Sequence, residues 1–122
     1  MKILFYEDDE SAIQGIMDFC EDEGYQYKRK TFDDGFSYIE EYDPDILVLD
    51  LKDDEKEGFE GCNILDKAWE YHFRPTCVFS GQIVQSTVDQ EKYKSPLVSF
   101  INKGDDNPVK DFIKKSQTIQ TV

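Results

Sequence analysis

Ile46, Leu47, Val48 and Leu49 are apolar in immediate succession, framed by Pro44 and Asp45 on one side and the carboxylate of Asp50 on the other. A strand with one wet face alternates apolar and polar residues, so the run 45–50 fits a strand covered on both faces, as in a parallel sheet. Parallel neighbours cannot be joined by tight hairpins and need crossovers, usually helices. The rest of the chain supplies that alternation. KILFY (2–6) reads as a short buried strand, followed by a helix with Ile13, Ile16, Met17 and Cys20 on one face. Ser11 with Gln14 has the form of a capping box for that helix, and Gly24 ends it. Residues 25–32 read as a more exposed, basic strand, and 33–43 as a short helix with Phe36 and Ile39 inward.

After Asp50 comes an acidic loop to about residue 60, then a helix from Gly61 carrying Leu65, Ala68 and Trp69. PTCVFSG (75–81) is another buried strand, residues 82–94 a weaker helix with Ile83, Val84 and Val88, and PLVSFI (96–101) a fifth strand. Asn107 and Pro108 open a final helix with Val109, Phe112, Ile113 and Ser116 on one side. Five strands alternating with five helices specify a doubly wound α/β sheet with right-handed crossovers. The expectation is one domain over residues 1–122, with 119–122 a tail or the start of a linker.

The balance of 14 basic and 27 acidic residues leaves a formal charge of −13. Such a surface repels phosphates, which argues against direct nucleic-acid binding and favours cationic partners, metal ions included. Cys20, Cys62 and Cys77 are widely spaced, odd in number and in no metal-binding pattern. With no secretory or membrane segment they read as reduced thiols of a cytoplasmic protein. His72 stands alone, an ordinary residue near a helix end.

Ligands of doubly wound sheets bind outside the carboxyl ends of the strands. Here the first strand is followed by Glu7, Asp8 and Asp9, the third by Asp50, the fourth by Ser80 and the fifth by Lys103. Topology thus collects carboxylates, a hydroxyl and an ammonium at one edge. Two carboxylates about 5 Å apart repel by roughly 3 kcal/mol at an effective dielectric near 20. A divalent cation with oxygen ligands removes that repulsion, and Mg²⁺ suits a half-open site of two or three carboxylates plus water. Asp9 and Glu10 are also explained by a helix start, where acids are favoured.

At these residues the sequence resembles a response-regulator receiver domain, from residue 2 to about 119. The stretches ILFYEDDE, PDILVLDL, CVFSG and FINKG carry the likeness, in order and at receiver-like spacing. The resemblance implies a flavodoxin-like (βα)5 fold with strand order 2-1-3-4-5. It implies that Asp50 is the phosphoacceptor. Mg²⁺ would be held by Asp8, Asp50 and the backbone carbonyl of Lys52, with Glu7 acting through water. Ser80 and Lys103 would contact the phosphoryl group, and Ser80 and Phe100 would form the switch. The implied partners are a histidine kinase or phosphotransfer protein and an unknown output protein or domain. A homodimer through the face of the fourth helix and fifth strand is also within the family's habits.

Three departures from the pattern stand out. LKDDEKEGFEGCNIL replaces the usual Met-Pro after the phosphoacceptor and carries about three extra residues; a calcium-loop reading of it fails at Ile64, where a bidentate Glu is required. Lys52 places an ammonium two residues past Asp50, able to fold into the acid pocket against Mg²⁺. Gly104 stands where receivers usually have a proline joined by a cis bond; a cis bond before glycine costs about 3 kcal/mol, so a trans bond is expected and Lys103 is placed by a different turn. Two further functions compete with the switch. One is a receiver-like interaction module that takes no phosphate; the other is a Mg²⁺-dependent aspartyl phosphatase, disfavoured because Lys52 occupies the place of its second aspartate.

Overall fold

The computed structural model describes residues 1–7, 9–31, 37–50, 74–80 and 98–120. Its strands are β1 (Lys2–Tyr6), β2 (Gln26–Lys30), β3 (Ile46–Leu49), β4 (Thr76–Ser80) and β5 (Val98–Asn102). They form one sheet in the order β2-β1-β3-β4-β5, with every neighbouring pair parallel. The described helices are α1 (Gln14–Asp22), α2 (Ser37–Tyr42) and α3 (Asn107–Gln120). The helices expected after Gly61 and over 82–94, with Trp69, Leu65, Ala68, Ile83, Val84 and Val88, lie outside the described residues, as does Phe36.

β3 is buried at all four positions, as its uninterrupted apolar run requires. On one face of the sheet, Ile3 and Phe5, Ile46 and Val48, and Cys77 and Phe79 pack with Ile16, Met17 and Cys20 of α1 and Val109, Phe112 and Ile113 of α3. The alternate residues Leu4, Tyr6, Leu47, Leu49 and Val78 are buried as well, so both faces are covered. Each such side chain contributes about 1.5–3 kcal/mol relative to exposure, enough in aggregate to fix the sheet's position. Ser116 of α3 is buried on the same side as its apolar neighbours, as the pattern predicts. Cys20 and Cys77 are free buried thiols, and burial pushes the Cys20 thiol up to about 12. Among the described residues, no helix is long and apolar enough to cross a membrane.

The entry to α1 differs from expectation. A 3-10 turn (Glu10–Ile13) precedes the helix, and its cap is Asp9, whose Oδ1 accepts from Ser11 N at 3.1 Å and Ser11 Oγ at 2.6 Å. Gln14 Nε2 instead donates to Asp18 Oδ1 at 2.9 Å. Asp9 and Ser11 are both good caps; the carboxylate wins by closing a two-residue ring onto the orphan N–H and hydroxyl together. The exit is as read. Gly24 has φ 78°, Tyr25 N donates to Cys20 O at 2.9 Å and Gly24 N to Glu21 O at 3.1 Å. This paired closure needs a left-handed residue. Gly24→Ala is expected to lower stability by about 1–2 kcal/mol. Urea melts check it, and an unchanged midpoint would mean the turn relaxes without the left-handed residue.

Candidate functional site

β1 and β3 are adjacent, with Tyr6 opposite Leu49, so the next residues, Glu7 and Asp50, emerge side by side at the carboxyl edge. Neither is on a loose loop. Glu7 N donates to Lys30 O at 3.0 Å and Asp50 N to Tyr6 O at 3.0 Å, extending the ladders one residue beyond the strands. Both acids are 3% exposed. From the far side of the sheet, Lys103 reaches across to them. Its Nζ lies 3.0 Å from Glu7 Oε1, 2.9 Å from Oε2 and 3.2 Å from Asp50 Oδ2.

The turn that delivers Lys103 is built by Gly104. The Lys103–Gly104 bond is trans and Gly104 has φ 125°. Proline, locked near −65°, cannot take that conformation. The departure from the receiver pattern therefore changes the turn, and the ammonium still arrives between the two acids.

Among the described residues, one ammonium, that of Lys103, faces both buried carboxylates. Burial, with Asp50's charge adding to it, raises the Glu7 carboxyl from 4.5 to about 7, against the lowering pull of Lys103 and of Asp9 N, which donates to Oε1 at 3.2 Å. For Lys103, burial works against the charged form, but the hydrogen bonds and charges of Glu7 and Asp50 outweigh it and hold the ammonium above its ordinary range. Asp9, bonded by Ser11, is held below the usual carboxylate range and belongs to the helix cap.

The remaining sequence candidates divide by location. Ser80 ends β4 in register with Asn102, one residue before Lys103, which brings its backbone to the same edge; its side chain lies outside what is described. Phe100 sits in β5 opposite Val78 and is half-buried. Asp8 and Lys52 lie outside the described residues. Among the described residues no three His, Cys, Asp or Glu side chains converge. Glu7 and Asp50 are two. Their buried carboxylate oxygens are hard donors of the kind a divalent cation takes. These two oxygen donors are of the type Mg²⁺ takes, and among the described residues they do not complete its shell.

Arg29 escaped the sequence reading as a site residue. Its Nη1 donates to the backbone carbonyl of Glu7 at 2.9 Å, and Nη2 lies 3.7 Å from Glu10 Oε2. The run Lys28-Arg29-Lys30 in so acidic a chain was the available signal. Which of the three turns toward the acids depends on strand register, which composition does not carry.

Neither a family model nor a curated protein sequence matches the chain; the likeness is one of structure. The response regulator from Desulfuromonas acetoxidans superposes with a TM-score of 0.73 at 15% identity, covering 97% of each chain. The N-terminal domain of a response regulator/sensory box/GGDEF three-domain protein from Carboxydothermus hydrogenoformans gives 0.72 at 15% identity, covering 99% of this chain and 97% of that one. The BeF3-activated N-terminal receiver domain of Klebsiella pneumoniae RstA gives 0.67 at 19%, covering 95% and 97%. With its five parallel strands in the order 2-1-3-4-5 and helices packed against the sheet, the chain has the flavodoxin-like fold of response-regulator receiver domains.

Proposed function

We propose that the chain is a phosphorylation-dependent signalling switch whose acceptor is Asp50. The observation that carries this reading is the shared ammonium: Lys103 binds Glu7 and Asp50 at once, at the carboxyl edge of a receiver fold. An Asp50 carboxylate oxygen attacks the phosphorus of a phosphohistidine on a kinase or phosphotransfer protein. An O–P bond forms, the P–N bond breaks, and the imidazole leaves with a proton. A carboxylate is a weak nucleophile, but phosphoryl transfer asks mainly for alignment and charge neutralisation. The strand-anchored backbone of Asp50 supplies the alignment, and Lys103 supplies positive charge.

Mg²⁺ would be held by Asp50 and Asp8, with the Lys52 carbonyl and Glu7 through water, and when bound would neutralise charge on the transferring oxygens. Once Asp50 is esterified its share of Lys103 is redistributed to the phosphoryl oxygens. The Ser80 hydroxyl donates to one of these, and Phe100 repacks behind it, so that the β4 and β5 ends report the modification to an output partner. The working compartment is the cytoplasm.

Incubation with Mg²⁺ and acetyl phosphate is the direct test. Intact mass should rise by one phosphoryl group in the wild type and not in Asp50→Asn, and a chelator should abolish the gain. A wild type that gains nothing under these conditions would favour an interaction module without phosphate. Steady release of phosphate from simple esters would instead favour a phosphatase.

A further inference from the structure

Glu7, Asp8, Asp9 and Glu10 form a run of four acids that repels itself. Two cations among the described residues brace it. Lys103 does so from the β5 side, through the Glu7 carboxylate. Arg29 does so from β2, through the Glu7 carbonyl at 2.9 Å and, at 3.7 Å, the Glu10 carboxylate. The two contacts differ in worth. The Glu10 side chain is 60% exposed, and such a pair contributes little. The bond to the carbonyl is charge-assisted and partly buried, and it grips the peptide that joins Glu7 to Asp8.

We infer that Arg29 is a positioning residue for divalent-cation binding: its guanidinium fixes the Glu7 carbonyl and with it the Glu7 carboxylate beside Asp50. The inference rests on the metal reading above and deepens it. A divalent ion of Mg²⁺ type holds its oxygens at about 2.1 Å in a demanding octahedron, so ligands already held in place bind it better than ligands free to splay. Glu7 is tied at N by Lys30 O and at O by Arg29, successive residues of one strand, which leaves its peptide little freedom. Lysine, a rotatable point donor of different reach, does not keep the planar guanidinium's fixed approach to the carbonyl.

The guanidinium also carries charge, and charge alone opposes a second cation. Positioning and repulsion therefore have opposite signs and can be separated. Mn²⁺ titrations of the unphosphorylated full chain, followed by the EPR signal of free Mn²⁺, would compare wild type, Arg29→Lys, Arg29→Met and Glu10→Gln, with chelated melts confirming that each is folded. Both Arg29 variants should lose roughly tenfold or more in affinity, as removal of a ligand-orienting partner does, while Glu10→Gln stays close to wild type. Tighter binding by Arg29→Met with Arg29→Lys unchanged would reduce the guanidinium to a charge and overturn the inference. Equal affinities in all four, with Asp50 still accepting phosphate, would overturn it and leave the proposed switch standing. A wild type that binds no Mn²⁺ would end both this inference and the metal reading beneath it.

Discussion

With divalent ions chelated, Glu7→Gln is expected to gain stability on the wild type as pH rises from 4.5 to about 7, by at most about 3 kcal/mol because solvent and Lys103 screen part of the penalty. The Glu7 carboxyl titrates near 4.5 when unfolded and at about 7 when folded, because burial and the neighbouring Asp50 charge resist ionisation. Below 4.5 both states hold the proton and Glu7 carries no penalty. Between the two values only the folded state holds it, so the unfolded state binds fewer protons and wild-type stability falls with rising pH. Above about 7 both are ionised and the slope ends. Glutamine is neutral throughout and contributes no slope. Other acids titrate in the same window, so the informative quantity is the difference between the two proteins in urea melts across pH. A flat difference would show that Lys103 fully neutralises Glu7. Added Mg²⁺ should shrink the difference, since a bound cation favours the ionised form.

Lys103→Met should move stability in the other direction, down by about 2–3 kcal/mol at pH 8 without divalent ions. Removing one partner of a buried ion pair is costly, and here two carboxylates lose the same cation. The value is set below that of a fully buried pair because the Lys103 side chain is 24% exposed and water screens it. Its ammonium is held above the ordinary 10.5, so its stabilisation is fully present at neutral pH and is lost only above that value. At pH 5 the loss should be smaller, because Glu7 takes a proton and one of the two charges disappears. Equal destabilisation at pH 5 and pH 8 would place the effect in lost packing of the lysine stem. The same cluster thus answers oppositely to deletion of an anion and of its cation.

Four apolar residues in a row were enough to read a strand walled on both sides, and through it a parallel sheet, because burial is written directly into composition at that spacing. Gly24 was legible for a similar reason: few residues accept its dihedral. The strand order came from the receiver-like motifs, since periodicity carries no information on which strand lies next to which. The convergence of Glu7, Asp50 and Lys103 was legible once those strands were in order. The Asp9 cap was not, because Asp9 and Ser11 are cap residues of near-equal preference and only local geometry decides which of them opens the helix. Arg29 was hidden by distance, 22 residues from the carbonyl it holds.

β1 and β3 are enclosed above and below and flanked by a strand on each side, while β5 is a border strand, half-exposed from Val98 to Ile101. The acids at the site therefore stand on an anvil, and the lysine stands on a spring. Any rearrangement of charge between them is taken up where fewest neighbours resist it. In the proposed switch, movement would leave along the β5 margin, while the floor bearing Glu7 and Asp50 stays still.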